Sequence, residues 1–274
     1  MKTILITGGN SFLSKEFKQY FGKSYNLIIT DRNTLDVANK NDVNNFFINN
    51  KINYVFHTAI TGGKRLKEDT FSNFIDNLNM YYNLSINSNK FDLMFNFASG
   101  AEFDRDDHIT SCKEEEIFTK IPKDFYGYSK NIISRDIATK NNIVNIRLFG
   151  CFGANENESR FIKTCIKKSL KNEEIIVQNK KMDFFSSMDL CILIEDFIKN
   201  GIKYRDMNAV YNNKTSLYNI AYFIKKEMRS ESSIAIIGDA KEYTGCSEKL
   251  DSLNLNLTGL ENSIKDMIGK MREI

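Results

Sequence analysis

Two side chains of the segment "YGYSK" can together move a proton to or from a substrate. Tyr126 and Lys130 stand four positions apart, so on a helix they lie on the same face, one turn apart. An ammonium beside a phenol stabilises the phenolate and lowers the pKa of the tyrosine. Such a tyrosine can exchange a proton with a substrate hydroxyl or carbonyl group near neutral pH. A tyrosine and a lysine at this spacing are common, however, and taken alone they are usually structural.

A serine upstream of this pair can act on the same substrate oxygen. Ser99 ends the predicted strand "FDLMFNFAS", and the active residues of a doubly wound sheet lie at the carboxyl ends of its strands. Its hydroxyl can hydrogen-bond the oxygen with which Tyr126 exchanges a proton. Ser99, Tyr126 and Lys130 in this order, after a nucleotide-binding loop, predict a catalytic site more specifically than any one of them.

The loop "ITGGNSFLSKEF" follows the first predicted strand and leads into a helix, a context in which a helix N-terminus binds pyrophosphate. A dinucleotide fingerprint would have its second and third glycines where this chain has Ser11 and Ser14. Ser11 fits if its backbone stays in an allowed region, and its hydroxyl can then donate to a phosphate oxygen. Ser14 is small enough for close packing of helix and strand. The alternative is a degenerate turn that binds nothing. The residues of this segment predicted to bind the cofactor are Thr7, Gly8, Asn10, Ser11, Phe12 and Leu13.

The segment "TDRN" at the end of the second predicted strand bears on the choice of cofactor. Asp31 can accept hydrogen bonds from an adenosine ribose, which favours NAD. Arg32 can instead pair with a ribose 2'-phosphate, which favours NADP. The pair leaves both open, with the balance slightly toward NAD, and a solvated turn is the structural alternative for each residue.

The elements that must position these residues alternate between strand and helix through the first half of the chain. The predicted strands are continuous apolar runs such as "KTILIT", "YNLIIT" and "INYVFHTA", which fits burial on both faces of a parallel sheet. The predicted fold is a Rossmann-type, doubly wound α/β sheet with helices on both faces and a small C-terminal α/β substrate lobe. Residues 1–150 form the predicted dinucleotide-binding domain. Residues 151–274 form mostly the smaller lobe, with some segments returning to the first domain.

Composition excludes several other classes. The 38 basic and 35 acidic residues give a net charge of +3, too balanced to predict nucleic-acid binding. No apolar run approaches the length of a membrane span, and no signal peptide is evident at the start. The five cysteines are scattered without a C-x-x-C pair, so neither a metal site nor a disulfide framework is predicted. We therefore expect a cytoplasmic protein with reduced thiols.

Taken together, these motifs resemble the extended short-chain dehydrogenase/reductases, the NAD-dependent epimerase/dehydratase family, over nearly the whole chain. "ITGGNSFLS" is similar to the family loop "TGGxGFxG", and "MDFFSSMDL" resembles "R-D-F-x-x-V-x-D". "VFHTAITGG" is similar to the third-strand segment of the family and "NLNMYYN" to one of its helices. The resemblance thereby adds His57, Thr58, Ala59 and Asn77 to the predicted cofactor-binding residues, together with Tyr126 and Lys130.

Within the family, "TLDVANKNDVNNFFINNKINYVFHTAITGG" looks most like GDP-L-fucose synthases and dTDP-4-dehydrorhamnose reductases. The resemblance implies that Tyr126 donates a proton, that Lys130 lowers the pKa of Tyr126, and that Ser99 orients the carbonyl group. The bound NAD or NADP supplies the hydride. The expected activity is reduction of a 4-keto sugar that is linked to a nucleotide diphosphate.

Departures from the family pattern narrow this expectation. Gly100 and Ala101 stand where the 4,6-dehydratases have an Asp-Glu pair. Ala101 and the region of Phe152 stand where fucose synthases have their epimerising Cys and His. His57 and His108 are the histidines of this chain; His57 is expected beside the cofactor and His108 in solvent. We therefore expect a reductase without base-catalysed epimerisation. The alternatives are a 4-epimerase with tightly bound NAD and a non-catalytic, nucleotide-binding relative.

The expected partners are a nucleotide-diphosphate sugar and a second copy of the chain. Weak candidates for contacts with the substrate phosphates are Lys163, Lys167, Lys168 and Arg205, although lysine-rich helix faces are usually only solvated. The family resemblance implies a homodimer formed through the helices around "DTFSNFIDNLNMYYNLSINSN" and "YGYSKNIISRDIATKNN".

Overall fold

The strands and helices alternate along the chain in the computed structural model, which describes residues 1–63 and 68–272. The strands are β1 (Thr3–Thr7), β2 (Asn26–Thr30), β3 (Tyr54–His57), β4 (Leu93–Ser99), β5 (Ile109–Cys112), β6 (Ile143–Leu148), β7 (Cys151–Phe152), β8 (Ile175–Asn179), β9 (Phe185–Ser186), β10 (Asp206–Ala209), β11 (Ile234–Asp239) and β12 (Tyr243–Gly245). The α-helices are α1 (Phe12–Phe21), α2 (Lys40–Asn49), α3 (Phe71–Ser85), α4 (Phe125–Ile137), α5 (Phe161–Leu170), α6 (Ser187–Asn200), α7 (Leu217–Met228), α8 (Glu248–Asp251) and α9 (Leu260–Arg272). Short 3-10 helices lie at Ser88–Lys90, Gly100–Phe103 and Glu114–Phe118.

A six-stranded parallel sheet in the order β10-β6-β4-β3-β1-β2 forms the centre of the molecule. Its inner strands are largely apolar and buried, whereas the edge strand β2 is mostly half-buried; Ile4, Leu5 and Ile6 of β1, for example, are fully buried. Thr7 pairs with His57 across β1 and β3, where the order of strands reverses. Ligands of doubly wound sheets bind at this position, beyond the carboxyl ends of the strands.

Helices cover both faces of the sheet. On one face, Phe17 and Phe21 of α1 pack with Leu193 and Phe197 of α6 in one apolar cluster. On the other face, side chains of α2, α3 and α4 pack in a second cluster. The predicted doubly wound α/β fold is therefore confirmed.

A third apolar cluster forms a smaller C-terminal lobe. Its members come from α5, α7 and α9 and from β8, which pairs with β11 in a separate two-stranded parallel sheet. The helix α6 and the strand β10 belong instead to the large sheet layer, because α6 packs in the first cluster and β10 pairs with β6. The chain thus crosses between sheet and lobe more than once, and the predicted boundary at residue 150 stays a prediction.

A short parallel pair, β5 with β12, lies where the C-terminal lobe meets the large sheet. Phe103, Ile109, Phe149 and Val210 form a small buried cluster there, and Tyr243 of β12 packs against it. This cluster brings a residue from the last part of the chain next to the ends of β4 and β6.

A buried charge network supports the same edge of the sheet. Arg147 of β6 is fully buried and pairs with the equally buried Glu102, and it also bonds Asp206 at 3.0 Å. Such charges are costly to bury unless they are paired, as they are here. No helix in the described part of the chain is long and apolar enough to cross a membrane.

Candidate active site

Two adjoining clefts open at the carboxyl ends of the sheet strands. The larger cleft, of about 660 Å³, is lined by residues that include Leu13, Ser99, Tyr126 and Lys130. The smaller cleft, of about 490 Å³, is lined by residues that include Gly8, Asn10, Ser11, Asp31 and Arg32. Thr58, Ala59 and Ile60 line both clefts, so together these form a site that an elongated ligand can span.

The loop between β1 and α1 depends on a glycine at its first position. Gly8 has a φ of +70°, a conformation that residues with a side chain rarely adopt. A Cβ at this position would lie 2.8 Å from the backbone of Ala59. The loop is therefore held close to the end of β3, where both clefts meet.

Ser11 occupies the position of the second glycine of the fingerprint without backbone strain. Its φ of −71° and ψ of 158° are those of extended backbone, and it is the N-cap of α1. Its Oγ accepts a hydrogen bond from the Ser14 N–H at 3.1 Å and lies 2.8 Å from the Thr58 hydroxyl. Because Thr58 donates to the Thr7 carbonyl at 2.6 Å, Ser11 donates to Thr58. The Ser11 proton is thus donated within the protein. The expected hydrogen bond from Ser11 to a phosphate oxygen would have to replace the bond to Thr58.

Ser14 is in the close-packed position expected for it. It is buried in the first turn of α1, and its hydroxyl oxygen has no hydrogen-bond partner among the described residues. Its small size matters more here than its polarity.

Asp31 and Arg32 both line the smaller cleft, in the turn after β2. The Asp31 carboxylate accepts hydrogen bonds from the backbone N–H groups of Asn33 and Thr34, at 3.0 and 3.1 Å, and from the Thr34 hydroxyl. The bonds from Thr34 and Asn33 lower the pKa of Asp31. Arg32 pairs with Asp36 at 3.6 Å and is largely exposed. Neither residue is buried, so both can reach a nucleotide in this cleft.

His57 is buried at the end of β3 and lines the larger cleft. Its Nδ1 lies 3.0 Å from the Thr7 hydroxyl. Burial, assisted by the charge of Lys130, lowers the pKa of His57 to about 3, so the imidazole is neutral at physiological pH. His108, by contrast, is exposed in the loop before β5, as the sequence predicts.

Two of the predicted cofactor-binding residues lie behind the clefts and do not line either of them. Thr7 is buried and bonds His57 and the Ala59 N–H. The Asn77 amide is buried and accepts from the Thr61 N–H at 2.9 Å while donating to the Thr61 carbonyl at 3.0 Å. Both side chains therefore fix the loop that follows β3, because a buried polar group must find its partners within the protein.

The structure brings Ser99, Tyr126 and Lys130 together in the larger cleft. Ser99 is the last residue of β4, while Tyr126 and Lys130 lie on α4, whose N-cap is Asp124. The Ser99 Oγ accepts from the Ala101 N–H at 3.2 Å, which fixes the hydroxyl at the strand end.

Burial has the largest influence on the pKa values of Tyr126 and Lys130. Burial raises the pKa of Tyr126, opposed by the Ser99 hydroxyl and the Arg105 guanidinium. The Lys130 ammonium donates to the Phe97 carbonyl at 2.7 Å, and burial lowers the pKa of this lysine to about 8. The Lys130 ammonium thus bonds a backbone carbonyl in this structure, and the lowering of the Tyr126 pKa by Lys130 stays a prediction.

Several residues of the larger cleft escape prediction from the sequence. Arg105 follows the end of β4, Glu156 and Arg160 precede α5, and Tyr243 belongs to β12. Burial raises the pKa of Glu156 to about 7. These residues come from loops and short elements without a recognisable motif, and only the tertiary fold places them beside Ser99 and Tyr126.

The basic residues suggested by the sequence do not line the larger cleft. Lys163 bonds the carbonyls of Ala154 and Glu156, Lys167 pairs with Glu158, and Lys168 donates to the Glu174 carbonyl. Arg205 donates to the Lys140 carbonyl at 2.7 Å. These four weak candidates therefore lie outside the described cleft, and local carboxylates and carbonyls bond their side chains. Arg105, Arg160, Lys180 and Lys241 line the cleft in their place.

The residues present fit a bound dinucleotide. Gly8 lets the loop backbone lie against Ala59, where a Cβ would not fit. The N-terminus of α1 lies between the two clefts. A neutral His57 and the lysine of α4 lie in the larger cleft, where the reactive end of such a ligand would be placed. The described residues contain no group of three or more His, Cys, Asp or Glu side chains arranged to hold a metal ion.

Comparison with solved structures finds the same fold in enzymes of nucleotide-sugar metabolism. A GDP-mannoheptose C4 reductase from Campylobacter jejuni with NADP bound is 20% identical, with a TM-score of 0.83 over 100% of this chain and 98% of that chain. A dTDP-4-dehydrorhamnose reductase from Clostridium acetobutylicum is 20% identical, with a TM-score of 0.81 over 99% of this chain and 100% of that chain. A GDP-L-fucose synthetase from Naegleria fowleri bound to NADP is 16% identical, with a TM-score of 0.81 over 99% and 93% of the two chains.

No curated protein matches the sequence significantly. The model of the NAD dependent epimerase/dehydratase family matches residues 4–209, which is most of the chain and contains the loop after β1 and the Ser99, Tyr126 and Lys130 positions. The resemblance seen in the motifs is thereby confirmed: this chain belongs to the NAD-dependent epimerase/dehydratase family.

Proposed function

We propose that this protein is an NAD(P)-dependent oxidoreductase that reduces the 4-keto group of a nucleotide-linked sugar. The observation that carries the proposal is the meeting of Ser99, Tyr126 and Lys130 in a cleft that continues into a second cleft beside Gly8. The first cleft suits a carbonyl substrate, and the second suits the adenosine end of a dinucleotide. The proposed division of labour assigns residues 1–150 to the cofactor and residues 151–274 mostly to the substrate.

The side chains of the larger cleft have distinct proposed roles. NADH or NADPH, when bound, would supply the hydride for reduction of the carbonyl carbon. Tyr126 donates a proton to the carbonyl oxygen, and its raised pKa keeps the phenol protonated before the reaction. Ser99 donates a hydrogen bond to the same oxygen. Lys130 places a positive charge next to the cofactor end of the cleft, held there by the Phe97 carbonyl.

The cofactor-binding residues that line the two clefts are Gly8, Asn10, Ser11, Phe12, Leu13, Asp31, Arg32, His57, Thr58, Ala59, Tyr126 and Lys130. Thr7 and Asn77 support them from behind. Asp31 and Arg32 both face the adenosine position, so we propose NAD or NADP without assigning a preference.

The positive charges of the larger cleft support a nucleotide-diphosphate substrate. Arg105, Arg160, Lys180 and Lys241 line it, and guanidinium and ammonium groups bind phosphate oxygens well. Solved proteins with the same fold are named as reductases of GDP-linked and dTDP-linked sugars, which supports the same class of substrate here.

We infer reduction without epimerisation from two positions. Ala101 is buried and carries no acid or base, and Phe152 is fully buried. An enzyme that inverts neighbouring carbons needs such groups in contact with the substrate.

The test is the consumption of NADPH or NADH by purified protein supplied with 4-keto sugars linked to GDP or dTDP. Oxidation of the cofactor, with one new sugar hydroxyl per cofactor, is the expected result. Interconversion of two sugar nucleotides without net turnover of cofactor would instead identify a 4-epimerase.

We further propose that the protein is a homodimer. Phe71 and Ile75 of α3 and Phe125 and Tyr128 of α4 are exposed, and the rings of Phe71 and Phe125 lie 5.9 Å apart. An apolar aromatic face of this kind on two neighbouring helices favours pairing with a second copy. Sedimentation at micromolar concentration is expected to give twice the monomer mass, and a monomer at all concentrations would reject this proposal.

We also propose a cytoplasmic role in the biosynthesis of activated sugars. All five cysteines are free thiols, four of them buried, and free thiols are usual in a reducing compartment.

A further inference from the structure

Ser99 has a neighbour from the other end of the chain, the phenol of Tyr243. The Tyr243 hydroxyl lies 3.5 Å from the Ser99 Oγ, although 144 residues separate the two along the sequence. Both residues line the larger cleft together with Tyr126. The separation is long for a hydroxyl pair, and hydrogen bonds of catalytic groups commonly shorten when substrate closes the site.

The strand that carries Tyr243 is fixed on both sides. The Tyr243 N–H donates to the Lys181 carbonyl and the Tyr243 carbonyl accepts from the Asp183 N–H, each at 3.0 Å. The buried Asp183 carboxylate also accepts from the Gly245 N–H and from the Lys214 ammonium, both at 2.8 Å. The phenol therefore projects from a backbone with little freedom to move.

The ring of Tyr243 packs against its neighbours so that its hydroxyl lies next to Ser99. The ring of Tyr243 makes an edge contact with Phe149, with centroids 5.1 Å apart. A Cβ at Gly100 would lie 2.8 Å from the Tyr243 hydroxyl and 2.5 Å from the Phe149 ring. The glycine directly after Ser99 is thus what allows the phenol to reach the Ser99 hydroxyl.

Either hydroxyl of the Tyr243–Ser99 pair can be the donor, and the count of donors and acceptors allows Tyr243 to donate. A serine hydroxyl offers one proton and two acceptor positions. The Ala101 N–H occupies one acceptor position of Ser99 at 3.2 Å. Desolvation holds the pKa of Tyr243 well above its usual range, so this phenol keeps its proton and can fill the second position. The Ser99 proton is then left to point into the cleft.

We propose that Tyr243 is a positioning residue for the reaction, which donates to Ser99 and so directs the Ser99 proton toward the substrate carbonyl oxygen. This inference rests on the proposed function of the site. Without Tyr243, the Ser99 hydroxyl can rotate among several acceptors, and it meets the carbonyl oxygen in the right orientation less often. The effect falls on the reaction step rather than on substrate binding.

The test replaces Tyr243 with phenylalanine, which keeps the ring and its contact with Phe149. The expected result is a fall in kcat of about tenfold, the effect of one hydrogen bond, with little change in KM. Combined with Ser99→Ala, Tyr243→Phe is expected to cost less than about twofold further, because its effect passes through the Ser99 hydroxyl. An unchanged kcat, or an equal loss in both backgrounds, would overturn the proposal.

Tyr211→Phe is the matched control. Like Tyr243, this tyrosine is half-buried, and its phenol donates to Asp189 at 2.5 Å, but it lies outside the larger cleft. Its loss is expected to lower stability and to leave kcat unchanged. A second variant, Gly100→Ala, displaces the phenol without altering its chemistry and is expected to lower kcat by a similar factor.

A crystal structure of the cofactor complex separates failure of this inference from failure of the proposed function. If wild-type protein reduces no keto-sugar nucleotide, the proposed reaction is wrong, and the position of the Tyr243 hydroxyl decides the inference alone. A distance of about 3 Å to the Ser99 Oγ supports it. A phenol turned away from Ser99 would reject it.

Discussion

The two clefts are built in different ways. The smaller cleft is formed by the loop after β1, the turn after β2, the segment after β3 and two residues of α3, Asp76 and Met80, so all its residues lie in the N-terminal part of the chain. The larger cleft is assembled from β4, α4, the loop before α5 and the distant strand β12. The first lies at three neighbouring strand ends in the N-terminal part of the chain, whereas the second is complete only when the C-terminal lobe is in place.

This difference shows which part of a site can vary independently of the fold. A loop between a strand and a helix has to satisfy only its own backbone and one neighbouring strand, as Gly8 does beside Ala59. The larger cleft depends on the packing of Phe149 and Tyr243 against each other and on space beside Gly100. Small changes in the lobe can therefore alter the chemistry without touching cofactor binding.

The largest effect is expected from Tyr126→Phe, which should disable the larger cleft and leave the smaller one intact. Loss of the proton donor should lower kcat by about a thousandfold, while the Kd of the cofactor from calorimetry should change by less than about threefold, because the ring of Tyr126 is kept. Tyr128→Phe, two residues further along α4 and exposed, is the control and should keep full activity. If Tyr126→Phe retained wild-type turnover, this phenol would not be the proton donor.

Lys130 is expected to affect the stability of the protein. Its pKa of about 8 in the folded protein predicts that the free energy of unfolding depends on pH. Below pH 8 the lysine is protonated in both the folded and the unfolded protein. Between pH 8 and about 10.5 the unfolded chain still binds a proton that the folded protein has released, so the free energy of unfolding rises with pH.

Lys130→Met removes this contribution. The free energy of unfolding of wild type minus that of the variant should therefore rise by about 3 kcal/mol across this window, measured by urea denaturation of the cofactor-free protein. A difference that stays flat from pH 8 to about 10.5 would show that the buried ammonium is not destabilised as described.

Gly8→Val is expected to disrupt the smaller cleft and to leave the larger cleft intact. A side chain at a φ of +70° is strained, and its Cβ would lie 2.8 Å from the Ala59 backbone. We expect the Kd of the cofactor to rise by about a hundredfold, with the positions of Ser99 and Tyr126 unchanged in a crystal structure. Gly269→Ala, where an added Cβ meets nothing within 4 Å, should leave the Kd as it is. Tight binding by the Gly8 variant would contradict the role given to this loop.

The smallest effect is expected from Ser11→Gly. Glycine is nearly as good an N-cap as serine, so we expect a loss of a few tenths of a kcal/mol plus the bond to Thr58, about 1 kcal/mol in all. The Kd of the cofactor should change by less than about threefold, because the Ser11 proton is already donated within the protein. A large rise in Kd would show that the hydroxyl leaves Thr58 to bind phosphate.

The sheet and the loop of the smaller cleft could be predicted from the sequence, because short local segments specify them. Apolar runs such as that of β1 and the glycine after it specify a strand end and a turn without reference to the rest of the chain. The strand β6, which begins at Ile143, and the serine that ends β4 are likewise recognisable from short local segments.

The remainder could not be predicted, because it depends on contacts between distant segments. β12 has three residues, too few for a periodic pattern, and its partner β5 precedes it by about 130 residues. The helix α6 is evident from its spacing, yet only packing places it on the large sheet. The bond of Lys130 to the Phe97 carbonyl, which fixes the position of the ammonium, has no sequence signal.

The late position of Tyr243 in the chain also sets an order of events during synthesis. The residues around the loop after β1, together with Ser99, Tyr126 and Lys130, leave the ribosome long before β12. Domains commonly begin to fold in this order, from the N-terminus. A growing chain can therefore acquire the residues of the smaller cleft before the phenol proposed to orient Ser99 has been made, and completion of the C-terminal lobe then completes the larger cleft.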